Sequence, residues 1–289
     1  MATVYLNGKF TALEDASISV LDRGFLFGDG IYEVIPVYAG TPFRFEHHLD
    51  RLKNSLREIK IEDPLTAKQW LELTTELIDK NSPESGYQES DQSIYLQITR
   101  GVAPRDHIFP IQIKPTIFMM STPLIGSPAE VICNGISAIT EVDSRWSRCN
   151  IKSINLLANV LHRQSAIEQD AKEAILIKDG VVTEGAASNL FIVKDGTLIT
   201  PPQSAYLLPG VTRDLVLELA RKENIMADES EIKRELLTAA DEIFVTSSTK
   251  EIVPVTKLNG NLVGDGSVGT VTKKLHLTLQ TFKQNLRRE

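Results

Sequence analysis

The chain is nearly devoid of cysteine. Among its 289 residues only Cys133 and Cys149 carry thiols, which excludes a disulfide framework, and no CxxC pair offers a zinc or redox motif, so a reducing compartment is expected. A basic excess is also missing. The 31 Lys and Arg face 38 Asp and Glu, a net charge of −7, which argues against a broad nucleic-acid surface. No apolar run reaches the length of a membrane span, and the opening MATVYLNGKFTALED lacks a basic n-region and an apolar h-region. A soluble, cytoplasmic protein is therefore expected. Hydrophobic residues at 42% and charged residues at 24% fit a folded globular chain. At roughly 150 residues per domain, the length points to two domains or one large one.

Several familiar site motifs fail as well. Gly28-Asp29-Gly30 lacks the third glycine of a dinucleotide loop because Glu33 stands in its place, and no acidic ribose partner follows. His47 and His48 diverge by about 100° on a helix and cannot easily share an ion with Asp50. There is no HExxH, GxSxG or P-loop, so no metal is expected.

The pattern that is present is α+β. Val4-Tyr5-Leu6, Asn7-Gly8 and Lys9-Phe10 predict a hairpin, because Asn-Gly tolerates a type I′ turn. A second strand pair is predicted at Ile31–Tyr38 and Thr41–Phe45. Leu49, Leu52, Leu56 and Ile59 recur at helical spacing from Glu46, and a second helix is predicted over 67–80 with Trp70, Leu73, Leu77 and Ile78 on one side. The polar stretch 81–92 reads as a solvated loop, followed by strands at 94–98 and 115–120. Composition suggests an interdomain linker at 122–128, dividing an N-terminal domain over 1–121 from a C-terminal one over 129–289. Beyond it a strand is expected near 131–139, then a helix with Leu157, Val160, Leu161 and Ala166 on one face. Asp179-Gly180 and Asp195-Gly196 each predict a hairpin. A helix over 212–223, a strand over 243–246 and a C-terminal helix over 269–285 complete the reading.

Three features together ask for a phosphorylated, electron-withdrawing cofactor. Lys152 lies between Ile151 and Ile154, ahead of a helix that Ser153 or Asn155 could cap. Loss of solvation at such a place favours the free amine. Glu184 leads into a turn of small residues, Gly185-Ala186-Ala187-Ser188, against which something bulky could lie. Leu208-Pro209-Gly210-Val211-Thr212 leads into a helix whose first amides suit an anion, and Thr246-Ser247-Ser248-Thr249 adds hydroxyl donors. Taken singly these are a snorkelling lysine, a solvated glutamate and ordinary turns. Taken together, a Schiff-base lysine, a carboxylate for a ring nitrogen and two phosphate-binding turns match what pyridoxal phosphate needs.

From Glu184 through Asn189-Leu190-Phe191, Leu198-Ile199-Thr200 and Leu208-Pro209-Gly210-Val211-Thr212-Arg213, the chain resembles the class IV aminotransferases. The likeness runs over essentially the whole chain, including Arg23–Glu33 and His48-Leu49-Asp50-Arg51-Leu52. It implies the two-domain type IV fold of pyridoxal-phosphate enzymes, with a small N-terminal α/β domain, a larger pseudo-barrel domain and the cofactor at the interface. It also implies roles. Lys152 would attach the cofactor and shuttle the proton, Glu184 would pair with the pyridine nitrogen, and Leu208 would pack on the ring. Arg51 would bind the phosphate with the amides of Val211 and Thr212 and the hydroxyls of Ser247 and Ser248. Arg105 and His107 resemble the pair with which the D-amino-acid members hold the substrate α-carboxylate from the other subunit, Tyr32 helping. The resemblance therefore implies a homodimeric transaminase moving an amino group from a D-amino acid to a 2-oxo acid in two half-reactions, with no membrane or nucleic-acid partner. Branched-chain L-amino-acid aminotransferase and aminodeoxychorismate lyase remain the alternatives on this fold. A cofactor-storing protein would predict a missing lysine or a degraded anion cradle, and both are intact. One departure stands out: Ala186 and Ala187 replace serines of the D-amino-acid members.

Overall fold

The structure, a computed structural model, describes residues 2–82 and 91–286; residues 83–90 of the expected polar loop lie outside the described residues. The chain forms two compact units, one of 1–125 with 151–155 and the other of 126–150 with 156–289. The first is not continuous in sequence. Five residues bearing Lys152 return to it from beyond the expected linker.

The first unit contains β1 (Thr3–Leu6), β2 (Lys9–Ala12), α1 (Arg23–Phe27), β3 (Gly30–Tyr38), β4 (Thr41–Pro42), α2 (Phe45–Glu58), α3 (Ala67–Asn81), β5 (Gln92–Thr99) and β6 (Thr116–Pro123). Its antiparallel sheet has the order β2-β1-β6-β5-β3-β4. The Asn7-Gly8 hairpin forms as the sequence predicts, with φ of 49° and 92° at the two turn residues. The strand expected over 41–45 is only Thr41–Pro42, because Phe45 already begins α2 and packs into the core. Leu49, Leu52 and Leu56 of α2, with Trp70, Leu77 and Ile78 of α3, bury against Ile31, Ile35, Ile94, Leu96 and Met119 of the sheet. At the start of α3, the Thr66 hydroxyl accepts from the Gln69 amide while the Gln69 side chain accepts from the Thr66 amide, a reciprocal capping box. That box satisfies two backbone donors that the helix itself cannot.

The second unit contains α4 (Ala129–Asn134), β7 (Ile136–Val142), α5 (Leu157–Glu168), β8 (Glu173–Lys178), β9 (Val181–Gly185), β10 (Asn189–Lys194), β11 (Thr197–Thr200), α6 (Val211–Lys222), β12 (Ala227–Glu229), α7 (Arg234–Thr238), β13 (Glu242–Ser247), β14 (Glu251–Leu258), β15 (Asn261–Leu262) and α8 (Thr270–Leu286). Its sheet runs β12-β11-β10-β13-β14-β7-β8-β9, with β15 on β14. Both Asp-Gly hairpins form, joining β8 to β9 and β10 to β11. The strand expected at 131–139 starts only at Ile136, since Pro128 precedes the short helix α4. The β-branched residues at its start misled the strand reading.

Two further expectations change around α5. Leu157, Val160 and Leu161 are 68%, 59% and 61% exposed, while the buried positions are His162 and Ala166. Periodicity identifies a helix and its apolar stripe, but not which face meets the sheet. The cap position is Leu156, and Ser153 instead accepts from the Asn155 amide. Lys152 therefore stands in an irregular segment before the helix and not at its first turn.

Removing the capping box tests the account of α3. Thr66→Ala should cost about 1 kcal/mol, read as a lowered urea midpoint with an unchanged slope.

Candidate active site

In the first unit the backbone positions Lys152. The Tyr32 amide donates to the Lys152 carbonyl at 2.9 Å, and the Ile154 amide donates to the Gly30 carbonyl at 3.1 Å. The Lys152 amide donates to Ser55 Oγ of α2 at 3.2 Å, and Ile151 enters the apolar core. From this seat Nζ lies 4.1 Å from the centroid of the Tyr32 ring. Tyr32 in turn stacks on Tyr95 at 5.7 Å. Burial pushes the Tyr95 hydroxyl up to about 12, so it stays protonated and donates to Gln97 at 2.7 Å.

Arg51 is buried on α2 and forks onto Glu33 of β3, Nε to Oε1 at 2.7 Å and Nη2 to Oε2 at 2.8 Å. His48, three residues earlier on the same helical face, places Nδ1 2.8 Å from Glu33 Oε2. Burial alone would raise Glu33, but the Arg51 charge and the hydrogen bonds from Arg51 and His48 hold it far below the usual carboxylate range. Burial pushes His48 down, against the pull of Glu33. The resemblance gave Arg51 a role, whereas Glu33 lay within the resembling stretch Arg23–Glu33 without one. Strand alternation does put Glu33 on the same side as Ile31 and Ile35, which was the available signal for its burial. Arg105 and His107 lie on an exposed loop. Phe27 meets both, with the Arg105 guanidinium 5.3 Å and the His107 ring 5.4 Å from its centroid.

In the second unit Glu184 occupies the buried end of β9. One oxygen accepts from Arg145 Nη1 at 2.5 Å; the other accepts from Asn189 Nδ2 at 3.1 Å and from the Leu208 amide at 3.0 Å. Burial pushes Glu184 up to about 7, with Arg145 and the Leu208 amide opposing the rise. Arg145 also forks onto Asp143 through Nε at 2.9 Å and Nη2 at 2.8 Å, and Thr183 Oγ1 donates to Asp143 at 2.8 Å. Neither Arg145 nor Asp143 was foreseen. Their separation from Glu184 in sequence follows no motif spacing, and only the rule that a buried carboxylate needs a buried cation could have prompted a search.

Asn189 ties this cluster to the turn before α6 and to β13. It bonds Glu184, donates to the Leu208 carbonyl at 2.8 Å, and pairs with Thr246 across β10 and β13. A Cβ on Gly210 would meet Asn189 Oδ1 at 1.9 Å, so only glycine fits ahead of α6. That helix begins without a side-chain cap among the described residues. Its first internal bond comes from the Asp214 amide to the Gly210 carbonyl, so the amides of Val211 and Thr212 precede the ladder. Thr246 Oγ1 is buried with no hydrogen-bond partner among the described residues, next to Ser247 and Ser248. The bare start of helix α6 and the orphaned hydroxyl near the end of β13 fit a phosphate group. Within this unit, the buried Glu184 cluster and the uncapped start of α6 offer a carboxylate for a ring nitrogen and donors for a phosphate, which suits pyridoxal phosphate.

Residues 30–258 match the family model of amino-transferase class IV. The chain is 40% identical over 285 residues to D-alanine aminotransferase of Staphylococcus epidermidis, covering 99% of each chain. It is also 40% identical over 277 residues to D-alanine aminotransferase of Bacillus licheniformis, covering 96% of this chain and 95% of that one. Among solved structures, branched-chain amino acid aminotransferase of Escherichia coli superposes with a TM-score of 0.89 at 28% identity, over 96% of this chain and 93% of that one. A second branched-chain amino acid aminotransferase, solved with pyridoxamine 5'-phosphate, superposes with a TM-score of 0.87 at 25% identity, over 98% and 94%. The chain belongs to the class IV aminotransferases. It has their mixed α/β fold, and none of its described helices is long and apolar enough to cross a membrane.

Glu33→Gln should cost about 3 kcal/mol at pH 7, because buried Arg51 then loses the carboxylate charge it forks onto. A carboxylate depressed by folding contributes stability above its ordinary value of 4.5 and loses it as pH falls toward the folded value. Urea unfolding should therefore show a constant gap between wild type and variant above about pH 5, narrowing below it.

Proposed function

We propose that this chain is a pyridoxal-phosphate-dependent transaminase that takes the amino group of a D-amino acid and passes it to a 2-oxo acid in two half-reactions. The observation that carries the reading is Lys152, whose carbonyl accepts from Tyr32 of β3, whose amide donates to Ser55 of α2, and whose Nζ stands over Tyr32. Support for the D hand comes from the D-alanine aminotransferases, at 40% identity over nearly the full length.

Pyridoxal phosphate, when bound, supplies an electron-withdrawing ring that stabilises negative charge at the substrate Cα. Lys152 Nζ would hold it covalently, and the same amine would move the proton between the substrate Cα and the cofactor C4′. Glu184, with Arg145 behind it, holds a proton on the pyridine nitrogen. Arg51, the amides of Val211 and Thr212, and the hydroxyls of Ser247 and Ser248 take the phosphate. Leu208 offers an apolar surface to the ring face. Arg105 forks onto the substrate α-carboxylate while His107 and Tyr32 add donors.

A homodimer follows if Arg105 and His107 act across subunits, and the exposed row Leu157, Val160 and Leu161 is an apolar surface a second copy would cover. The absence of a basic excess and of a cysteine framework supports a cytoplasmic enzyme without nucleic-acid partners. The likeness to branched-chain enzymes keeps an L-specific transaminase as the second reading.

Absorption of the holoenzyme distinguishes the two. D-alanine should bleach the cofactor band and L-leucine should not; the reverse result would keep Lys152 and Glu184 in their roles but transfer the substrate to the L series. Lys152→Ala should keep the phosphate contacts and lose both covalent attachment and turnover. Turnover retained in that variant would sink the mechanism.

A further inference from the structure

We propose that Arg23 and Phe27 are positioning residues for Arg105 and His107, and that they set how tightly the chain takes an α-carboxylate; this rests on the carboxylate role given to that pair above. Arg23 opens α1 and is only 3% exposed, unusual for an arginine unless it is committed to partners. Its Nε donates to Asp29 at 2.8 Å. Its Nη1 donates to the backbone carbonyl of Asp106 at 2.5 Å, reaching across 83 positions of sequence. Asp106 is the single residue between Arg105 and His107. A buried cation therefore holds the loop by the carbonyl that separates the two side chains.

Phe27 closes α1 four residues later, on the same helical face as Arg23. The guanidinium of Arg105 and the ring of His107 both approach this phenyl, at 5.3 Å and 5.4 Å, and the Arg23 guanidinium lies 4.8 Å from it. One aromatic ring thus touches both exposed side chains and the cation that holds their backbone. A second anchor sits farther along the loop. Arg100 donates to Asp29 through Nε at 2.8 Å and Nη2 at 2.9 Å, and its guanidinium lies 3.7 Å from the centroid of Phe109. Asp29 joins the two arginines, one reaching Asp106 and the other stacking on Phe109.

Long exposed side chains lose rotamer freedom when they bind, and part of that cost is removed when they are held beforehand. Arg23 and Phe27 act through Arg105 and His107, which take the substrate carboxylate and leave the reacting Cα to Lys152. Their effect therefore falls on a contact made equally in the ground and transition states, which moves half-saturation and leaves the chemical step alone.

The test is single-turnover bleaching of holoenzyme by D-alanine over a concentration series, in wild type, Arg105→Ala, Arg23→Gln, Phe27→Leu and Phe27→Tyr. Arg23→Gln should raise the half-saturating concentration about tenfold, the scale of a lost charged hydrogen bond. Phe27→Leu should raise it about 2- to 5-fold, the scale of a cation–π contact, and Phe27→Tyr should restore it. The saturating rate and the affinity for pyridoxal phosphate should stay within about twofold in all three. If Arg105→Ala raises half-saturation while Arg23→Gln and Phe27→Leu do not, the positioning role is wrong. So it is if the saturating rate falls instead. If Arg105→Ala itself changes nothing, the carboxylate role of the loop fails first. Should Arg23→Gln not fold, the Phe27→Leu and Phe27→Tyr pair decides alone.

Discussion

Strand β3 is paired along its whole length by β5, but β4 covers its other edge only at Val37 and Tyr38. The uncovered half of that edge carries backbone donors and acceptors beside a packed core, where unsatisfied polar groups are costly. Residues 151–155 take that place, through the Tyr32 and Ile154 amides and the Ile31–Ser153 bridge. The site inherits its geometry from this requirement. Lys152 is carried by a piece of chain acting as a missing strand, so its backbone is held by sheet-like hydrogen bonds although it lies in a loop.

The buried charges follow one rule with two outcomes. Glu33 receives both forks of Arg51 and a contact from His48, and it is held far below the usual range. Glu184 has Arg145 as its cation, but Asp143 takes two nitrogens of that same guanidinium and repels Glu184 in turn. Burial then prevails and carries Glu184 to about 7. Two residues of one type in similar burial thus differ because Glu33 draws on both Arg51 and His48, whereas Glu184 must share Arg145 with Asp143. The first suits a fixed structural charge. The second leaves proton affinity near neutrality.

Much of the fold was legible because it is written in local rules. The three Asn-Gly and Asp-Gly turns, the leucine stripe of α2 and the Trp70 face of α3 each follow from spacing and turn chemistry within a few residues. The misreadings arise where tertiary context decides. Leu157, Val160 and Leu161 mark a helix correctly, yet periodicity does not tell which of its faces meets the sheet. Val131 and Ile132 favour a strand by propensity, and Pro128 with Gly135 encloses a helix. In the site, Lys152, Glu184 and Arg51 were reachable through family motifs, since the resemblance spans the whole chain. The pairings of Arg145 with Glu184 and of Glu33 with Arg51 and His48 were not, because these partners lie on other elements at separations no pattern encodes.

The return of 151–155 also bears on the order in which the molecule can be made. Ile31 meets Ser153 across a very long stretch of intervening chain, a contact whose loop must close before it rewards folding. A nascent chain that has emerged only as far as the first six-stranded sheet presents the bare half of β3, flanked by apolar Ile31 and Ile35, as an open pairing edge. The first unit is therefore completed only after part of the second has been synthesised. During that interval the edge that will seat Lys152 is the one most exposed to pairing with the wrong strand.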